Sequence, residues 1–179
     1  EREYRATHDE LTGLANRSAL NATLARLSCE RPGAWALIAL DLDNLKPVND
    51  TYGHHVGDCL LQVAASRLAA AAAPDLVYRI GGDEFLVLLQ APGHIADIES
   101  TATRLLGILA EPADCGGFRL APEASMGGAI VAIGDRFPEA VRQHADHALY
   151  CAKETRRGGF VRYWPGLGSP ITDRILHMR

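Results

Sequence analysis

Tyr78–Leu89 reads YRIGGDEFLVLL, two short apolar runs separated by two glycines and two carboxylates. Leu76–Ile80 and Glu84–Leu89 are too short for buried helices, and both read as strands. Gly81-Gly82 between them is a strong hairpin signal, because glycine accepts the positive φ that tight turns often demand. Such a turn presents Asp83 and Glu84 at its tip. Adjacent acids beside a turn are ordinarily just solvated, so their use depends on what lies next to them in space.

The neighbour is found upstream. Ala34–Leu42, AWALIALDL, is a continuous apolar run that reads as a central strand covered on both faces. Asp41 and Asp43 end it, where α/β sheets commonly bind ligands. Period-two alternation puts both on one face, with the Leu42 carbonyl nearby. They could simply cap the next turn; otherwise buried carboxylates need a cleft, a partner or a metal. If the hairpin 75–80/84–90 pairs beside 34–42, Asp83 and Glu84 arrive next to Asp41. Three or four converging carboxylates repel without a cation, and an all-oxygen set favours Mg²⁺ shared with substrate phosphates. That resembles the two-metal arrangement for in-line attack at phosphorus. Alternation sends Asp83 and Glu84 to opposite faces, so serving one site requires a local twist at the glycines.

The remaining pattern supplies helices. Arg17–Cys29 carries Leu20, Leu24 and Leu27 at helical spacing, and Arg31-Pro32-Gly33 stops it. After a polar loop, His55–Ala73 resumes the period at Val56, Leu60, Val63 and Leu68, an apolar side that reads as ordinary core. Ile95–Leu109 is predicted helical, 118–133 (FRLAPEASMGGAIVAI) one or two strands, Pro138–Lys153 helical, and FVRYW (160–164) the closing strand. The order α–β–α–β–β–α–β–(β)–α–β predicts an α/β (α+β) fold, a mixed central β-sheet flanked by helices. Trp164–Arg179, with Pro165, Gly166, Gly168 and Pro170, reads as a linker leaving the domain.

Composition sets bounds. With 179 residues, 47% of them hydrophobic, the chain suits one domain with a real core. A net charge of −4 argues against nucleic acid as a partner, so any phosphate must be held by local charges or a metal. Cys29, Cys59, Cys115 and Cys151 are far apart in sequence and read as buried, reduced thiols of a cytosolic protein. No stretch approaches the ~20 apolar residues of a membrane span. A start at Glu1 without Met suggests a piece of a longer protein.

Binding groups follow the strand end. In Asp41–Asp58, DLDNLKPVNDTYGHHVGD, the N–H groups around Asn44–Lys46 can cradle phosphates and Lys46 adds charge. Asn49 and Asp58 pair an amide with a carboxylate, a combination able to read a guanine edge. Asp58 is equally readable as a helix first-turn acid favoured by the macrodipole. Lys153 and Arg157, four apart at a helix end, can bind phosphates or merely complement the helix C-terminus. His144 and His147 lie one turn apart without an evident third ligand, and no zinc site is inferred.

DELTGLANR (9–17), DLDNLKPVNDTYGHHVGD (41–58), RIGGDEF (79–85) and ALYCAKETRRG (148–158) together resemble the successive signatures of the GGDEF-domain family, the diguanylate cyclases. They come in that family's order and cover roughly residues 7–163. The resemblance implies a fold similar to nucleotidyl-cyclase and polymerase palm domains over 7–164. It leaves 1–6 as the end of an upstream linker or signalling helix and 165–179 as a C-terminal tail. It implies condensation of two GTP into cyclic di-GMP with release of two pyrophosphates, across a face-to-face homodimer using Mg²⁺ or Mn²⁺. By position, Asp41, the Leu42 carbonyl, Asp83 and Glu84 would hold metal, and Glu84 would alternatively take the proton from the attacking hydroxyl. Asn49 and Asp58 would read guanine. Asn44, Leu45, Lys46, Lys153 and Arg157 would hold phosphates, with Gly81 and Gly82 giving room.

The departures matter too. In the family's product-inhibition motif RxxD, the arginine position is Ala72 and only Asp75 survives, so inhibition is expected to be lost or much weakened. Leu45 replaces the usual phenylalanine, and Arg156-Arg157-Gly158 replaces Gly-Arg-Asn, which bears on phosphate affinity. The alternative expectation is a GTP-binding regulatory domain, weak or inactive in catalysis, controlling an adjoining domain. Expected surroundings are the cytoplasm, an upstream sensor and a further domain after residue 179. The parent chain is open to membrane anchoring, with no direct membrane insertion of this segment.

Overall fold

The computed structural model describes residues 1–168. Its first half runs α1 (Arg2–Thr7), α2 (Arg17–Leu24), β1 (Ala36–Leu42), α3 (Leu45–Tyr52), α4 (His54–Ala72), β2 (Leu76–Arg79) and β3 (Glu84–Leu89). The second half adds α5 (Pro92–Ala96), α6 (Ile98–Leu109), β4 (Ala113–Cys115), β5 (Phe118–Leu120), β6 (Ala124–Ile130), α7 (Pro138–Thr155) and β7 (Phe160–Arg162). Five strands form one sheet in the order β2-β3-β1-β6-β7, antiparallel except for the β6–β7 pair. β4 and β5 form a separate hairpin. This is the expected mixed sheet flanked by helices.

Alternation along β1 explains the layers. Ala36, Ile38, Leu40 and Leu42 pack against Leu61, Ala64 and Leu68 of α4 and Leu105 of α6. Leu37 and Ala39 face Leu20 and Leu24 of α2 and Val141, Ala145 and Leu149 of α7. Each large aliphatic side chain removed from water contributes roughly 1.5–3 kcal/mol, so a strand buried on both faces is held strongly in register. Asp41 is next in the odd series and therefore points to the α7 side. α7 lies directly on the sheet: a Cβ at Gly127 of β6 would fall 2.0 Å from the Leu149 backbone nitrogen. That approach sets the height at which the end of α7 meets the end of β1.

Several boundaries differ from the sequence reading. α2 stops at Leu24 although the apolar spacing continues, because Leu27 and Cys29 pack on the same core from the following turn. The predicted polar loop after β1 contains α3, hidden by Pro47, Asn49, Asp50 and Thr51 and by its single buried residue, Val48. Pro47 is tolerated there because it sits in the first turn. The helix predicted over 95–109 breaks at Asp97, whose carboxylate caps α6 through the Ser100 N–H at 3.1 Å. β4 is a further three-residue strand that the pattern did not signal. Among the described residues no cysteine is in a disulfide, but only Cys115 and Cys151 are buried; Cys29 and Cys59 are half-buried. Burial and adjacent Cys59 push the Cys115 thiol up to about 12. Among the described residues no helix is long and apolar enough to cross a membrane. Most of the predicted tail, 169–179, lies outside the described residues.

Candidate active site

The site grows from the pairing of β1 with the β2–β3 hairpin. Asp41 stands directly opposite Glu84 on one side and Ser125 on the other. Asp83 lies just before β3, so strand alternation does not bind it. Its carbonyl accepts from Leu42 N–H at 3.0 Å, while Ile80 N–H donates to the Glu84 carbonyl at 3.0 Å and closes the turn. One carboxylate oxygen from each of Asp41, Asp83 and Glu84 lies within 4.8 Å of the others. Among the described residues this is the only such group able to hold a metal. The glycines act differently from expectation, since neither Gly81 nor Gly82 takes positive φ. Nor is space their reason: a Cβ at Gly81 would lie 3.4 Å from the Glu84 carboxyl carbon, an ordinary van der Waals contact, and one at Gly82 would meet nothing within 4 Å.

A brace that sequence reasoning missed holds this turn. The Arg79 guanidinium donates to the carbonyls of Gly81 (3.2 Å) and Gly82 (2.9 Å) and to both Asp9 oxygens (3.1 and 3.0 Å). Asp9 also accepts from the Thr12 N–H and hydroxyl at 2.9 and 2.7 Å. Burial alone would raise the Asp9 carboxyl, but the bonds from Thr12 and Arg79 outweigh it and hold it below its usual value. The signal was present: Asp9 and Arg79 open two of the four signature segments.

Electrostatics at Asp41 are strained. Burial pushes its carboxyl up, and the charges of Asp83 and Glu84 push in the same direction. Lys153 works against them, with its Nζ 2.5 Å from Asp41 Oδ2. Asp41 Oδ1 is buried and has no hydrogen-bond partner. Asp43 takes a separate course one residue beyond β1, accepting from Ser125 Oγ at 2.7 Å and lying 3.4 Å from Arg157 Nη1. The converging set is therefore three carboxylates, with Asp43 outside it. Lys153 and Arg157 do not share a helix face as expected, because α7 ends at Thr155 and Arg157 belongs to the turn beyond. That turn is tied down by Gly158 N–H on Ser125 Oγ at 3.0 Å. Asp146, also missed, lies two helical turns before Lys153. Burial, then the charges of Glu84, Asp41 and Glu139, raise its carboxyl against Arg142. Its i, i+7 spacing from Lys153 was the available clue.

The binding groups around β1 are arranged as follows. Asn44 spends its side chain on the Ala121 carbonyl (2.8 Å) and the Glu123 N–H (3.0 Å), anchoring the turn whose backbone opens α3. Lys46 is exposed and pairs with Asp50 at 2.9 Å, a surface contact of little energetic weight. Asn49 Oδ1 is buried without a partner. It rests on Gly57, where a Cβ would fall 1.7 Å away. Exposed Asp58 follows Gly57 in the second turn of α4, beyond the first-turn position where a macrodipole role applies. Asp75 is engaged throughout: Oδ1 accepts from the N–H groups of Gln90 and Ala91 at 2.9 and 3.0 Å, and Oδ2 meets His94 Nδ1 at 2.7 Å. Ala72 beside it is fully buried. His144 stacks on Tyr163 and His147 approaches the Leu167 carbonyl. The three-carboxylate donor set and the orphaned Asp41 oxygen fit a hard divalent cation.

The model of the diguanylate cyclase GGDEF domain matches residues 6–159. The chain belongs to the GGDEF-domain family. An uncharacterized signaling protein of Caulobacter vibrioides is 42% identical over 176 residues, 96% of this GGDEF chain and 22% of the relative. The bifunctional diguanylate cyclase/cyclic di-GMP phosphodiesterase MucR of Pseudomonas aeruginosa is 35% identical over 174 residues, 95% of this chain and 25% of its own. This GGDEF chain thus spans about a quarter or less of those relatives. A solved structure of TpbB (YfiN) from Pseudomonas aeruginosa, comprising only the GGDEF domain, matches with a TM-score of 0.82 at 31% identity. The match covers 95% of this chain and 99% of that one.

Proposed function

We propose that this GGDEF domain condenses two GTP molecules into cyclic di-GMP, each subunit of a face-to-face homodimer presenting one nucleotide. The carrying observation is the convergence of Asp41, Asp83 and Glu84 within 4.8 Å, with a buried Asp41 oxygen left unpaired. Asp41, the Leu42 carbonyl, Asp83 and Glu84 would hold Mg²⁺ or Mn²⁺. The bound cation supplies neutralisation of charge on the phosphates and the attacking oxygen.

The remaining work falls to the chain. Asn49 and Asp58 hold the guanine edge, one amide fixed on Gly57 and one exposed carboxylate beside it. The backbone of Asn44 and Leu45, with Lys46, Lys153 and Arg157, holds the phosphates. Glu84 accepts the proton of the 3′-hydroxyl. The 3′-oxygen bonds to the α-phosphorus of the facing nucleotide, the bond to pyrophosphate breaks, and the same exchange in the opposite sense closes the ring. Positioning of the two nucleotides is the principal catalytic contribution. The saturated hydrogen bonding of Asp75 and the burial of Ala72 support a domain without product inhibition at that site. The domain proper is assigned to 7–164, cytoplasmic, with sensor or output modules elsewhere in its parent chain.

Incubating the purified domain with GTP and Mg²⁺ over a protein-concentration series should give cyclic di-GMP, with more product per molecule at higher concentration. GTP binding without product, even when dimerisation is forced by a fused coiled coil, would instead assign the domain to GTP-dependent regulation.

A further inference from the structure

Lys153 and Arg157, the two cations assigned to the phosphates, are both already paired with acids of the β1 end. Lys153 Nζ sits 2.5 Å from Asp41 Oδ2, and Arg157 Nη1 lies 3.4 Å from Asp43 Oδ1. The pairs are not equivalent. Lys153 is largely covered, its side chain 28% exposed, and Asp41 is 15% exposed, whereas Arg157 is 63% exposed. Asp41 is also a member of the three-carboxylate group, and Asp43 is not. An ammonium is a compact point charge on a flexible four-carbon stem, so it can occupy a cation's place and leave it by rotating its own side chain.

We infer that Lys153 is a stand-in cation for Asp41, exchanged for the divalent metal when its ammonium transfers to the nucleotide's phosphates. This rests on the proposed GTP reading for its second half alone. Without Lys153, Asp41 would face Asp83 and Glu84 with no compensating charge. With it, a metal arriving alone must displace a partner that has nowhere better to go. A polyphosphate gives the ammonium that destination, so metal and nucleotide strengthen each other's binding, and linkage makes the effect reciprocal. The device favours loading of metal and GTP together over capture of free metal.

The test is Mn²⁺ binding to the intact domain, followed by electron paramagnetic resonance without nucleotide. Lys153→Met should bind Mn²⁺ at least about fivefold more tightly than the parent, the lower end of ordinary coupling between sites. Lys153→Arg should stay near the parent. Arg157→Gln removes the same charge from the neighbouring pair and should change Mn²⁺ affinity little. In a second arm, a GTP analogue blocked at the α-phosphate should bind Lys153→Met more weakly than the parent. Unchanged or weaker Mn²⁺ binding by Lys153→Met overturns the inference, and so does an equal gain in Arg157→Gln, which would reduce the effect to net charge. If the analogue does not bind the parent, the GTP reading fails while the nucleotide-free arm still decides the role of Lys153.

Discussion

The β2–β3 hairpin carries acids at both ends, and the two ends treat them in opposite ways. At its base, Asp75 has a side chain only 2% exposed, yet both oxygens are hydrogen-bonded, to two backbone N–H groups and to His94. At its tip, Asp83 and Glu84 crowd Asp41, whose Oδ1 is buried with no partner. A buried polar atom left unpaired costs on the order of 1–3 kcal/mol, so folding alone does not explain the tip. The base spends its acid on hydrogen bonds within the fold, whereas the tip leaves its acids to the ligand proposed above. Substitutions at the two ends should therefore separate stability from activity.

The largest expected effect is at the tip. Glu84→Gln should lower cyclic di-GMP formation by at least about 100-fold, the lower range for a lost acid–base group. Its melting temperature should hold or rise, because one of three repelling charges is gone; a large fall in stability would break the contrast. At the base the pattern should invert. Asp75→Ala strands two N–H groups and should destabilise by about 1–3 kcal/mol. On a chain of this size that lowers the melting temperature by roughly 2–4 °C per kcal/mol. Turnover per folded molecule and its indifference to added cyclic di-GMP should stay as in the parent.

The brace between the ends gives a pH signature. Asp9 is held below its ordinary value when folded, so its contribution is present above the unfolded pKa of about 3.9. That contribution fades as pH falls through the lower folded value. Asp9→Asn should cost stability at neutral pH and flatten the acid limb of a denaturation series. A parallel shift of the curve at every pH would contradict this. Smallest in stability terms is Gly57→Ala, which gains about 1 kcal/mol of helix propensity. Its new Cβ must displace the Asn49 amide, so the KM for GTP should rise several-fold at unchanged or higher melting temperature. A loss of stability with KM unchanged would mean that the amide's seat on Gly57 is structural only.

Much of this was legible in the chain. The apolar run ending in Asp41, and the hairpin of short strands, sufficed for the central pairing and for three acids meeting. What stayed hidden was local and geometric. Asp83 escapes alternation because it precedes β3, a boundary that no periodicity marks. α3 was masked by residues of low helix propensity. Lys153 and Arg157 looked like one helix face, but a turn beginning after Thr155 delivers the second cation. Arg79 and Asp9 stand seventy residues apart, and nothing in either segment alone announces their ion pair. Asp75 was legible only as the surviving half of a product-site motif; its hydrogen bonds to Gln90, Ala91 and His94 join segments that no local pattern links.

A pair of progress curves tests the central contrast most directly. The purified domain, concentrated or dimerised and supplied with GTP and Mg²⁺, is followed until substrate is spent, with and without cyclic di-GMP added at the start. Two superimposed curves are expected, each slowing only as GTP runs out. Absence of product, or an early stall that added cyclic di-GMP brings on sooner, would contradict this.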